Sequence, residues 1–252
     1  MALINFRYYS EALGMLTEAT VIMPQAANNG QIGVDSNTKA GPYKCLYLLH
    51  GVSGDESSWS RQTSIERYAN KCGICVVMPR GGNAFYSNMK YGPKYYDHIA
   101  NELPAIMKEF FNISDKREDT YIAGLSMGGY GALKIALRNP DRFCAGAGMS
   151  PVSDIKGLEG FDHLLIPIFG DEKNIPDDDD LLLLAEKQKD NPLRPKLYMG
   201  IGTEDFLYQN AMKLRKKLED CGYDFTYRES SGQHNWDFWD EYIQYVIQWL
   251  GL

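Results

Sequence analysis

The sequence predicts an α/β fold, one mostly parallel sheet with helices on both faces. Three observations carry this. Short continuous apolar runs recur along the chain, YKCLYLL (43–49), GICVVMP (73–79), TYIAGL (120–125), FCAGAGM (143–149) and KLYMGIG (196–202), as strands buried on both faces require. Segments of helical spacing separate them, which generates repeated β-α-β units. The 252 residues, 44% of them hydrophobic, suffice for a single large domain with a well-buried core.

Taken in order, alternation in LINFRYYS and EATVIMP predicts two antiparallel strands, and a polar turn region rich in Gly and Asn follows over 25–42. Helical patterns then occur in TSIERYANK, YYDHIANELPAIMKEFF, the segment after Ser126, FLYQNAMKLRKKLEDCG and NWDFWDEYIQYVIQWL, with FTYRES as the last strand. Residues 151–195 break the alternation. No strand pattern occurs there, and DDDDLLLLAEKQ reads as one helix flanked by loops. Asp177 to Asp180 follow Pro176, so they are read as capping that helix and complementing its dipole in preference to binding calcium. An insertion entering after FCAGAGM belongs over the C-terminal ends of the strands, where open α/β sheets bind ligands, and is expected to act as a lid.

Lys and Arg number 26 against 33 Asp and Glu, a net charge of −7, which offers no attraction to phosphate backbones or anionic membrane. Nucleic acid and membrane are not expected partners. The N-terminus lacks a basic start followed by an apolar stretch, and no run reaches about 18 apolar residues, so a cytoplasmic protein is expected. Five cysteines, mostly within apolar segments, fit reduced thiols. Cys72 and Cys75 have C-x-x-C spacing, but they straddle a helix end and a strand start, so packing is preferred over redox or metal binding.

Gly124-Leu125-Ser126-Met127-Gly128 fits G-x-S-x-G, which places a serine on a sharp strand-to-helix turn. Roughly 0.12 chance matches are expected at this composition, so the motif needs context. TYIAGL supplies a buried strand before the serine and GGYGALKIALRNP a helix after it. Gly124 and Gly128 admit the turn; Gly129 and Gly131 are read as letting the helix pack closely on the sheet.

A serine hydroxyl needs a base and an orienting acid. Of four histidines, His50 ends a strand and is read as structural, His98 lies in a helical pattern and His163 in the insertion. His234 lies in SSGQHNW, between the last strand and the last helix, on the same rim as Ser126, and is the candidate base. Asp205, just past KLYMGIG, is the candidate acid, with Glu204 as its rival. A helix N-cap is the competing role for Asp205, and one side chain is not expected to serve both well. The order Ser, acid, His is that of α/β-hydrolases. Two amides must receive an oxyanion; Met127 follows the nucleophile, and Val52 lies in the loop HGVSGDESSW. Trp59 and Trp236 are candidate substrate-binding side chains, Trp59 being equally readable as core. Phe161, Leu164, Leu165, Ile168 and Phe169 line an acyl pocket or simply pack.

Together LYLLHGVSGDESSW, GLSMGGYGALKIAL, IGTEDFLY and SGQHNWDFW resemble the putative esterase family, which includes esterase D (S-formylglutathione hydrolase), feruloyl and acetyl-xylan esterases and mycolyltransferases. Within it the chain is most similar to small tributyrin esterases, over nearly its whole length. The resemblance implies an α/β-hydrolase fold with an eight-stranded sheet, a Ser126, Asp205, His234 triad, and hydrolysis of short acyl esters without a cofactor or metal. The thiol-esterase branch usually carries a cysteine after its HG, and this loop reads HGVSGDESS, which weakens an S-formylglutathione reading. A serine peptidase is the remaining rival. The expected partner is a small-molecule ester, and self-association into a homo-oligomer is left open.

Overall fold

The computed structural model describes residues 1–25, 32–33, 40–171 and 174–252. The turn region expected at 25–42 therefore lies largely outside the described residues. Eight strands form one sheet: β1 (Ala2–Ser10), β2 (Met15–Met23), β3 (Cys45–Leu49), β4 (Cys75–Pro79), β5 (Thr120–Leu125), β6 (Ala145–Met149), β7 (Lys196–Gly202) and β8 (Phe225–Ser230). Their order is β1-β2-β4-β3-β5-β6-β7-β8. β1 pairs antiparallel with β2, and β2 with β4; every other pair is parallel. The predicted sheet and its opening hairpin are both present.

Period-2 alternation explains the two apolar layers. Tyr47 and Leu49 face one core with Met127, Tyr130 and Leu133, whereas Leu46 and Leu48 face the other with Ile65, Tyr242 and Val246. The helices are α1 (Ser58–Gln62), α2 (Ile65–Cys72), α3 (Tyr95–Asp97), α4 (Leu103–Phe110), α5 (Met127–Arg138), α6 (Asp162–Phe169), α7 (Leu181–Gln188), α8 (Tyr208–Asp220) and α9 (Trp236–Trp249). The first core gathers side chains from α4, α5, α7 and α8, the second from α2 and α9. The single helix expected over 95–111 is divided by a π-helical turn, His98–Glu102. Buried His98 lies 2.8 Å from Glu102 there and 3.2 Å from both Ser10 and Tyr8, which ties the hairpin to the helix.

Among the described residues, 151–195 hold two α-helices rather than one. α6 gives no periodic signal because, after Asp162 and His163, LLIPIF is one continuous apolar run with Pro167 inside it. Of the four consecutive aspartates only Asp180 caps α7, accepting from Leu182 N at 2.9 Å and Leu183 N at 3.1 Å. Asp179 points inward to Lys134. Cys72 ends α2 and Cys75 begins β4. Burial raises the Cys72 thiol, and the Cys45 thiol with burial raises Cys75, which opposes thiolate chemistry.

Candidate active site

Ser126 is the one residue between β5 and α5. It sits at φ 53°, ψ −120°, a conformation that costs a non-glycine residue about 1–3 kcal/mol and persists only where the surroundings enforce it. Three backbone hydrogen bonds do so: Ser126 N donates to Met149 O (2.8 Å), and Ser126 O accepts from Tyr130 N (3.0 Å) and Val152 N (3.3 Å). A Cβ on Gly124 would stand 2.3 Å from Gly128 O, and one on Gly128 2.4 Å from Leu49 O. Only hydrogen fits at either position, as the motif demanded. A Cβ on Gly129 would meet Pro151 at 3.0 Å and, on the sheet, Gly124 O at 3.2 Å, as close packing of the helix requires, whereas Gly131 makes room for the Tyr86 ring rather than for the sheet.

Asp205 and His234 come from the turns after β7 and β8. Ser126 Oγ lies 3.0 Å from His234 Nε2, and His234 Nδ1 lies 2.8 Å from Asp205 Oδ2 and 3.0 Å from Oδ1. The carboxylate of Asp205 is fully buried and the imidazole nearly so. Asp205 Oδ1 also accepts from Leu207 N at 2.8 Å. Asp205 is not the N-cap of α8, whose cap position is Leu207 without a side-chain bond; the bond to Leu207 N closes the preceding turn, and the carboxylate has lone pairs left for the imidazole. Its rival Glu204 accepts instead from Gly232 N at 2.5 Å.

Phe206, 64% exposed, and Trp239 flank the His234 ring with centroids at 4.5 and 4.9 Å. Trp239 is itself held by an Nε1–H bond to Ser150 Oγ at 3.1 Å. Sequence reasoning missed both, because an exposed loop Phe and one of three tryptophans in an amphipathic helix carry no separate signal.

The HGVSGD loop packs on the serine: a Cβ on Gly51 would lie 3.4 Å from Ser126 Cβ and 2.7 Å from Leu125 Cδ1. His50 holds this loop. Its Nε2 accepts from Gly81 N at 2.9 Å, which makes Nδ1 the protonated nitrogen, donating to Gly51 O at 2.7 Å. Burial pushes the imidazole pKa below its ordinary value, in keeping with a neutral ring. Neither Val52 N nor Met127 N has a hydrogen-bond acceptor among the described residues. Met127 also begins α5, where the helix dipole is positive.

A cavity of about 380 Å³ opens over Ser126, with Val52, Phe85, Val152, Phe161, Phe206 and Trp236 in its wall. Trp236, a candidate substrate-binding side chain, lines this cavity. Trp59 does not: it is fully buried, its Nε1–H bonds Leu49 O at 3.0 Å, and its ring meets Trp236 edge-on, so it is core. Of the five apolar residues named above as acyl-pocket candidates only Phe161 reaches the cavity, while Leu165, Ile168 and Phe169 are buried and Leu164 packs against the core.

A profile of the putative esterase family matches residues 27–246. The chain belongs to that family. This esterase is 32% identical to an acetyl esterase of Caldicellulosiruptor saccharolyticus, over 99% of this chain and 98% of the relative. Among solved structures it resembles FphF, a fluorophosphonate-binding serine hydrolase of Staphylococcus aureus, with a TM-score of 0.88 and 36% identity over 99% and 98% of the two chains. An S-formylglutathione hydrolase from Staphylococcus aureus gives a TM-score of 0.85, again at 36% identity over 99% and 98%. The fold is that of the α/β-hydrolases, and this esterase is a serine ester hydrolase. No helix among the described residues is long and apolar enough to cross a membrane.

Proposed function

We propose that this esterase hydrolyses short-chain acyl esters through an acyl-enzyme on Ser126. The observation that carries the reading is the relay of Ser126 Oγ, His234 Nε2 and buried Asp205, with 3.0 and 2.8 Å between successive partners. His234 takes the Ser126 proton as Oγ attacks the ester carbonyl carbon, and Asp205 stabilises the resulting imidazolium. The oxyanion accepts from Val52 N–H and Met127 N–H. Collapse of this intermediate breaks the bond to the alcohol oxygen, which takes the proton from His234. Water, deprotonated by His234, then attacks the acyl carbon, and the acid leaves as Ser126 recovers its proton.

A cavity of about 380 Å³ is near the small end of ligand pockets, which favours small acyl groups. Val152 and Phe161 of the segment expected to act as a lid supply part of the cavity wall in this reading. Ser126→Ala is expected to abolish turnover of p-nitrophenyl acetate and butyrate while leaving circular dichroism unchanged. Retained turnover would sink the proposal.

The S-formylglutathione hydrolase relative favours a second reading, the same acyl transfer from a thioester. The absence of cysteine in HGVSGDESS weighs against it. Comparing kcat/KM for S-formylglutathione and p-nitrophenyl acetate separates the two.

A further inference from the structure

Behind the cavity wall lies a buried polar cluster that the reaction as written does not use. Lys134, two turns along α5 from Ser126, is completely buried, and its Nζ donates to Asp179 Oδ1 (2.5 Å), Ser87 Oγ (2.6 Å) and Phe85 O (3.1 Å). All three ammonium protons thus have acceptors, and the Tyr130 ring stands 4.6 Å away. Removing one charge from such a pair leaves the other buried without compensation. The cluster is therefore held together as a unit.

Its acceptors are informative. Phe85 and Tyr86 have φ of 49° and 51°, consecutive left-handed residues with bulky side chains, an arrangement that needs external support. Lys134 supplies that support at the Phe85 carbonyl. From there two side chains diverge. Phe85 forms cavity wall. Tyr86, wedged against Gly81 and Gly131, donates its hydroxyl to His50 O at 2.8 Å, two residues before the Val52 amide.

We propose that Lys134, with Asp179 and Ser87, is a positioning residue for the oxyanion donor: it fixes Phe85 and Tyr86, and Tyr86 fixes the peptide that aims Val52 N–H. Asp179 lies in the 151–195 segment, so that segment shares in setting the donor's orientation. The proposal rests on the Ser126 reading above.

The test uses Tyr86→Phe, which removes only the bond to His50 O, and Lys134→Met/Asp179→Leu, which replaces the ion pair by apolar groups. Turnover of p-nitrophenyl butyrate and the affinity of a boronic acid forming a tetrahedral adduct on serine are measured well below the melting temperature. Expected are about tenfold falls in kcat for both variants with KM within twofold, and a matching loss of boronic acid affinity. A merely structural role would lower the melting temperature and leave kcat and adduct affinity unmoved. That result, or a normal double variant beside an impaired Tyr86→Phe, overturns the role of Lys134. Should the double variant not fold, Ser87→Ala is read in its place, and turnover with adduct affinity within twofold of the parent overturns the proposal. Activity surviving in Ser126→Ala would instead identify the underlying triad reading as the error.

Discussion

Glu204 and Asp205 are adjacent in sequence, yet their carboxylates serve different loops. Asp205 meets His234 at 2.8 Å, while Glu204 receives Gly232 N at 2.5 Å and lies 3.3 Å from Ser231 Oγ. One orients the imidazole and the other braces the turn that carries it. Asp205→Asn should therefore lower kcat about 10³- to 10⁴-fold through loss of the correct imidazole tautomer. Glu204→Gln, which can still accept a hydrogen bond, should lower it less than about tenfold. Steady-state kinetics on p-nitrophenyl acetate compare the two, and equal losses would refute the division of roles.

The loop that carries Val52 depends on a neutral imidazole. His50 is buried with its pKa below the ordinary value, chiefly through desolvation, and it accepts from Gly81 N. Between the unfolded value of about 6.5 and the lower folded value, the unfolded chain holds a proton that the native one does not. Stability from this group is thus present above about pH 6.5 and lost as pH falls toward the folded pKa. Melting temperatures at pH 7.5, 6.5 and 5.5 should decline with acidification, with a smaller decline in His50→Gln.

At Gly128 the added Cβ would strike main chain, 2.4 Å from Leu49 O and 2.6 Å from His50 O. Backbone cannot rotate aside as a side chain can, so Gly128→Ala should cost about 3 kcal/mol or more. Chemical denaturation measures this. A loss under about 1 kcal/mol would mean that the elbow has slack.

Phe161 is the aromatic residue of the 151–195 segment in the cavity wall. Phe161→Ala should enlarge the pocket and raise kcat/KM for p-nitrophenyl hexanoate relative to acetate by about tenfold. An unchanged ratio would place the acyl chain elsewhere.

Most of the sheet was legible because strands buried on both faces leave continuous apolar runs that no other element explains at that length. The candidate triad was legible because serine, acid and histidine each followed a recognisable strand, and only four histidines competed. What escaped lacked a period or depended on partners distant in sequence. α6 has polar residues only at its first two positions, Asp162 and His163, and no alternation after them. Trp59 was ambiguous because only the fold could supply Leu49 O to its indole N–H. Lys134 did leave a trace, a charge within GYGALKIAL with apolar neighbours all round, but its partner Asp179 lies 45 residues on inside a run that already had a capping explanation. Phe85 and Tyr86 occupy a stretch of irregular loop, where backbone conformation cannot be read from residue type.

The 151–195 segment leaves the sheet just beyond β6 and returns at β7, supplying Val152 and Phe161 to the cavity but neither Ser126, His234 nor Asp205. It is in that sense a cassette: its sequence can be exchanged to change which ester fits while the proton relay stays untouched. Any such graft must keep the backbone N–H at 152, which bonds Ser126 O at 3.3 Å, and two further seams constrain it. The incoming segment must present an acid to Lys134 and an acceptor to Tyr130, whose hydroxyl bonds Asp179 O at 2.5 Å. A designer would keep Asp179 and its immediate neighbours, and vary the loop around Phe161 freely.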